Sequence, residues 1–238
     1  MFKKIVPFNT QAHANKKVKP VNTFNFIANT HVVALMANEM SRAAHSFPVV
    51  FLKEGENYGL YALMGLKQNE NLFVDSEGKW ETSAYIPAII RRYPFALGKG
   101  QPDSDQFMIC IDEESDFLSE NEGEPLVTDG KPGPIIEKAK GFLTELYRSG
   151  EVTTAFCKAL AERDLFSPLN MQLKDKVSGV TQNITGCYAI NEKKISEMPD
   201  EDFLALRKRG FLPLIYAHTF SLTHIERLVR IQGERNKK

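Results

Sequence analysis

No stretch of this chain is apolar over the ~20 residues that a membrane-spanning helix needs, so a bilayer span is not expected. The longest uncharged stretch near the end, residues 211–225, holds two histidines and is interrupted by Pro213. Net charge is missing as well. Thirty Lys plus Arg balance 30 Asp plus Glu, so no global field draws the protein to nucleic acid or anionic lipid, and any electrostatic function must be local. Cysteine is scarce, and Cys110, Cys157 and Cys187 lie too far apart for a disulfide scaffold or a zinc ribbon. They read as reduced thiols in a cytoplasm, buried and inert rather than nucleophilic. The opening MFKKIVPFNTQ has the charge of a signal peptide but no apolar run behind it, so export by the ordinary signal route is not expected.

Glycine-rich phosphate loops, serine-centred elbows and histidine-rich metal motifs do not occur. His218 and His224 stand well round a helix from each other, unlike the spacing of four that lets two histidines share a metal. Neither a metal nor a cofactor is therefore expected, and His218, on an apolar stripe, reads as a core histidine. Asp112, Glu114 and Asp116 resemble the start of a calcium loop, but Phe117 stands where the sharp turn needs Gly. The segment from Gly100 to Gly130, with ten acidic residues and no Lys or Arg, reads as solvated loop interrupted by one buried strand at Phe107 to Ile111. Asp112 to Pro125 is expected to be exposed and mobile.

What is present suffices for a packed core: 42% of residues are hydrophobic. Alternation or β-branching predicts strands at Asn22 to Ile27, Thr30 to Leu35, Pro48 to Leu52, Tyr58 to Leu66, Leu169 to Leu173 and Thr181 to Ile190. Asp75 to Gly78 reads as the turn of a hairpin joining Leu72–Val74 to Lys79–Trp80. Ala37 to Ala44 favours a short helix with a Glu39–Arg42 pair. Pro87 opens another, with Arg91 and Arg92 in its last turn and Pro94 beyond it. Pro134 to Arg148 is apolar on one side; Ser149-Gly150 then reads as a break before a second helix at 152–160, which together make an αα-hairpin. Asp200 to Arg209 carries acids first and bases last with Gly210 as its stop, and a final helix follows from Phe211 to Val229. Strands early and long helices late predict an α+β fold, a mostly antiparallel sheet from the N-terminal half with helices from the C-terminal half packed on it. A single domain over residues 1–238 is expected, with 1–20 and 232–238 extended or frayed.

The candidate ligand-binding residues are Arg91, Arg92 and Tyr93, with Trp80 and Tyr85. Guanidinium forks match carboxylate or phosphate, and a tyrosine adds a donor. The bland alternative is helix-end capping with a structural ion pair, and a lone tryptophan is commonly a core anchor. One of the adjacent arginines must turn inward, since successive helical positions point about 100° apart, and the inward one is expected to find a carboxylate.

Three segments, NEMSRAAHSFPVVF (Asn38 to Phe51), ENLFVDSEGKWETSAYIPAIIRRYPFAL (70–97) and ITGCYAINEKKISEMPDEDFLALRKRGFLPLIYAHTFSLTHIERL (Ile184 to Leu228), resemble the bacterial SapC family in order and spacing. The likeness covers nearly the whole chain and does not extend to the peptide-transporter permease that shares the name. It implies a link to surface-layer loci and serum resistance, and an accessory role beside flavoproteins or cupin-like oxygenases. It brings no catalytic residue. The expected function is that of a non-catalytic protein that binds a partner protein or a peptide-like ligand. The alternative is an enzyme of unrecognised type acting on small molecules or peptides with a flavoprotein or oxygenase partner. Oligomeric state is left open.

Overall fold

The computed structural model describes residues 1–99, 107–174, 179 and 181–236. In chain order the first strands are β1 (Ile5–Pro7), β2 (Lys17–Val18), β3 (Val32–Ala34), β4 (Val49–Glu54) and β5 (Asn57–Leu63), with the short helix α1 (Met40–Ala43) between β3 and β4. Next come α2 (Ala88–Arg91), β6 (Phe95–Lys99), β7 (Phe107–Asp112), β8 (Leu118–Ser119), β9 (Glu124–Pro125), β10 (Val127–Thr128) and β11 (Lys131–Pro132). The long helix α3 (Pro134–Ala161) leads to β12 (Phe166–Lys174) and β13 (Thr181–Ile190). Four helices close the chain: α4 (Glu192–Glu197), α5 (Asp200–Lys208), α6 (Leu212–Ser221) and α7 (His224–Arg235).

The fold is α+β, with antiparallel sheets mainly in the N-terminal half and helices mainly in the C-terminal half. The largest sheet has the order β12-β13-β4-β5-β3. Its β4–β5 hairpin is the one that the apolar run at Pro48 to Leu52 predicts, and the later β12–β13 hairpin joins it through Tyr188 opposite Phe51. Two smaller sheets, β1-β7-β6 and β8-β2-β9, tie the first 20 residues to the acidic region.

Two apolar clusters form, and α3 contributes to both. Ile136, Ala139, Leu143 and Leu146 enter one with Phe95, Ile111 and Leu126; Phe156, Cys157, Ala159 and Leu160 enter the other with Phe47, Phe51 and Phe73. The expected break at Ser149-Gly150 is absent, and in place of an αα-hairpin there is one continuous helix. A tertiary contact outweighs local propensity here. The Ser149 hydroxyl accepts from Asn38 Nδ2 at 2.7 Å, while Thr153 donates to the Ser149 carbonyl at 2.6 Å and accepts from the Ala37 N–H at 2.8 Å. The hydroxyls of Ser149 and Thr153 take the segment around residue 37, and these hydrogen bonds offset the helix cost of Gly150, about 1 kcal/mol.

Other expectations change for similar reasons. Asn22 to Ile27 is no strand but leads into a 3-10 turn, Asn25–Ile27, which places Phe26 on Tyr93 with ring centroids 4.2 Å apart. The Asp75 turn forms, with Asp75 Oδ1 accepting from Glu77 N and Lys79 N and with Gly78 at φ +77°, but its strands shrink to a single bridge between Val74 and Trp80. Ala37 to Ala44 splits into a 3-10 turn, Ala37–Glu39, and α1. The final helix divides into α6 and α7, where Ser221 and Thr223 donate their hydroxyls to the His218 and Phe220 carbonyls at 2.6 and 2.8 Å. Among the described residues both terminal segments make contacts with the rest of the fold, and residues 237 and 238 lie outside them. β1 and β2 are paired, and Arg235 donates to the Asn71, Leu72 and Val74 carbonyls.

From Asp112 to Pro125 the acidic region is docked on the fold, although Glu113, Glu114, Asp116 and residues 120–123 keep the expected exposure. Its strands β8 and β9 flank β2, and its carboxylates meet lysines from elsewhere: Lys3–Asp116 at 3.1 Å, Lys4–Glu113 at 2.9 Å, Lys16–Glu120 at 2.8 Å and Lys138–Glu124 at 3.6 Å. Within it Gly123 adopts φ +110° so close to β2 that a Cβ would stand 2.3 Å from the Val18 carbonyl oxygen, so only glycine fits. Phe117 and Ser115 are buried, and Asp112 is fully so. Residues 100–106, the start of the acidic stretch, lie outside the described residues.

Candidate functional site

The site grows from one buried carboxylate. Glu39, which is 4% exposed, accepts from Met36 N at 2.9 Å, Tyr85 Oη at 2.9 Å and Ala88 N at 2.8 Å. Three donors satisfy a charge that would otherwise be costly to bury. The expected Glu39–Arg42 helix pair therefore does not form; Glu39 anchors the start of α2 instead. Pro87 precedes α2 as its cap, and Arg92 follows the last helical residue.

Arg91 and Arg92 leave this short helix in different directions, as adjacent helical positions must. Arg91 is exposed yet bonded: Nη2 donates to Tyr85 Oη at 3.0 Å and Nε to the Ile86 carbonyl at 3.0 Å, and the guanidinium lies over Phe142 at 5.3 Å. Arg92 is half-buried, with its guanidinium 5.2 Å from the Phe2 ring centroid. Its Nε is buried without an acceptor, and no carboxylate among the described residues pairs with it. Burial alone holds its pKa below the usual arginine value. The two arginines do differ in environment as expected, whereas the expected inward ion pair is not found among the described residues.

Both arginines and Tyr93 line a cavity of about 560 Å³. Pro94, Phe95 and Val18 form one wall, and Ile135, Ala139, Phe142 and Leu143 of α3 form the other. Lys19, Lys138 and Glu124 stand among its lining residues, and Glu124 is paired with Lys138. The volume suits a ligand of moderate size, and an apolar wall with a few charged groups is what small-ligand and peptide pockets present.

Tyr93 contributes its ring and backbone rather than its hydroxyl. Its Oη donates to Asp112 at 3.1 Å, and its pKa is pushed up to about 12, first by burial and further by Asp112. The ring belongs to a cluster with Phe2, Phe26 and Phe117. Tyr85 and Trp80 stand outside the cavity. Tyr85 links Arg91 to Glu39, with its hydroxyl pKa raised by burial and then by Glu39. Trp80 packs on Phe24, Phe47 and Phe73 and donates Nε1–H to the Ala84 carbonyl at 3.0 Å. It packs as a core anchor, and neither residue lines this cavity.

The structure adds lining residues that the sequence reading did not single out: Lys19, Phe142 and Lys138. Phe142 had a signal in the apolar periodicity of α3, which left open what that face covers; Lys138, a charged residue on the same helix, had none. Lys19 lies in an irregular segment with none.

Elsewhere the chemistry-bearing residues are quiet. His218 is fully buried, with Nε2 accepting from the Ile190 N–H at 3.0 Å. The three cysteines are free and buried, and burial raises their thiol pKa values, that of Cys157 to about 12. Among the described residues no group of His, Cys, Asp or Glu is placed to hold a metal ion, and no helix is long and apolar enough to cross a membrane.

Comparison with known proteins agrees with the resemblance read from the three segments. No curated protein and no solved structure matches the chain. The SapC family model matches residues 8–228, nearly the whole length, and the chain belongs to the SapC family.

Proposed function

We propose that this SapC protein is a binding protein whose Arg91/Arg92 cavity takes a peptide-like ligand or partner segment that carries a carboxylate on an apolar stretch. The observation that carries the reading is Arg92, a half-buried cation without a carboxylate partner among the described residues, set in the wall of a largely apolar cavity. A half-buried guanidinium gains from an anion that can form a two-point contact, and the apolar wall gains from being covered. Arg91, held by Tyr85 and the Ile86 carbonyl, keeps a second positive charge at the same edge.

Binding is favoured over catalysis by how the polar groups are committed. The Tyr93 hydroxyl is engaged by Asp112 and Glu124 by Lys138, which leaves neither poised for proton transfer. An accessory role in a bacterial cytoplasm accords with this reading, and the free buried thiols support a reducing compartment.

The test is titration calorimetry of the full chain with blocked apolar peptides that carry either a glutamate or a glutamine at one position. Glutamate peptides should bind, glutamine peptides at least ~10-fold more weakly, and Arg92→Ala should remove the difference. Equal affinity for the two peptides, or a preference that survives Arg92→Ala, would sink the reading.

A further inference from the structure

Arg92 borders more than this one cavity. The same side chain, with Leu143, also lines a second hollow of about 550 Å³, whose other walls include Met36, Ile89, Leu146 and Tyr147. Arg92 thus stands between two hollows that follow one another along α3. Ala139 and Phe142 face the first; Leu146 and Gly150 face the second. From residue 139 to residue 150 the helix rises about 16 Å, the length of roughly five residues of extended chain.

The second hollow carries exposed apolar surface of its own. Tyr147 is 44% exposed and Phe107 41%, with ring centroids 4.5 Å apart at its edge. A ligand that ended in a carboxylate on Arg92 would fill one hollow and leave the other uncovered. A ligand whose carboxylate is a side chain has apolar residues before and after it, and so covers both.

Building on the reading of this cavity as a peptide site, we infer that the occupant is an internal segment of a partner protein in which one Asp or Glu is flanked on both sides by apolar residues. The acidic side chain meets Arg92. One flank lies against Phe142 and the other against Leu146 and Tyr147. The charge complementarity is local: the cation shared by the two hollows has no carboxylate partner among the described residues, and the lining on either side is predominantly apolar, with Glu124 paired to Lys138 in the first hollow and Glu151 the acid of the second. Each apolar flank buried should add about ten-fold or more to affinity.

Three peptides, all acetylated and amidated so that no terminal charge remains, separate the possibilities when titrated into the full chain. One has a central glutamate with three apolar residues on each side; the other two keep the glutamate and only one flank. A fourth, unblocked at its end, offers a terminal carboxylate after the same apolar residues. The two-flank peptide should bind at least ten-fold more tightly than the other three. Tyr147→Ala, at an exposed position, should weaken the two-flank peptide and the one-flank peptide that reaches the second hollow while sparing the other. If all three blocked peptides bind alike and depend on Arg92, or if the terminal carboxylate binds best, the inference fails while the peptide-site reading stands. If none binds, or if Arg92→Ala changes nothing, both fail. The peptide comparison runs on the unaltered chain, so it stands even where a variant does not fold.

Discussion

The Asp112 carboxylate holds the Tyr93 hydroxyl at 3.1 Å while its two oxygens take the backbone N–H groups of Lys3 and Lys4 at 2.9 and 2.7 Å. One fully buried side chain thereby joins the N-terminal arm, a lining residue of the cavity and the end of β7. Asp112→Ala leaves three donors unpaired and should cost ~3 kcal/mol, at the level of losing buried hydrogen bonds to a charged group. Denaturant unfolding measures this, and limited proteolysis should show the first residues released. A loss below ~1 kcal/mol would mean that water replaces the carboxylate at no cost.

Arg91 and Arg92 should differ in what they do for the fold. Arg91→Ala removes the two hydrogen bonds to Tyr85 and Ile86 and should cost ~1 kcal/mol. Arg92→Ala removes a cation that burial penalises and that no carboxylate among the described residues offsets, so its stability should stay within ~1 kcal/mol of the parent. Comparing the two unfolding midpoints checks this; a loss of ~3 kcal/mol for Arg92→Ala would reveal a structural ion pair.

Helix α3 tolerates glycine where it need not. A Cβ at Gly141 would meet nothing within 4 Å, and one at Gly150 would meet only Met36 Sδ at 3.9 Å. Alanine at each position should therefore stabilise the chain by ~0.5 to 1 kcal/mol, through helix propensity and a less flexible unfolded chain. Thermal unfolding of the single and double substitutions should show nearly additive gains. A destabilising Gly150→Ala would show that Ser149 and Thr153 need closer contact with residues 36 to 39 than a methyl group allows.

His218 makes stability depend on pH. Burial lowers its pKa from 6.5 to about 4, and the Ile190 N–H pointing at Nε2 favours the neutral ring. The unfolded chain binds this proton more readily than the folded one, so the contribution is fully present above pH 6.5 and is lost as pH falls towards 4. The loss should approach ~3 kcal/mol, the free energy of a shift of that size. Denaturation between pH 7 and 4 should show the slope, and His218→Gln should flatten it.

Where burial patterns are local, the sequence was sufficient. The β4–β5 hairpin, the start of α3 after Gly133, the acid-to-base polarity of α5 and the stop at Gly210 all follow from alternation, proline placement, the helix dipole and a residue free to take positive φ. The Arg91-Arg92-Tyr93 run was legible as a place where charge meets aromatic surface, and the structure puts all three at one cavity.

Only the tertiary structure decided the rest, and in each case the reason is a partner distant in sequence. Ser149-Gly150 looks like a break until Ala37 and Asn38 bond across to Thr153 and Ser149. The acidic stretch looks like solvated loop until Lys3, Lys4, Lys16 and Lys138 arrive from elsewhere to meet it. Trp80 and Tyr85 look like pocket residues until the aromatic core and Glu39 claim them. Local patterning sets which segments can become helix or strand, because propensity and period act over a few neighbours. Which charges are neutralised depends, for Lys3, Lys4 and Lys16, on chain segments more than 100 residues apart meeting in space, and no local pattern encodes that meeting.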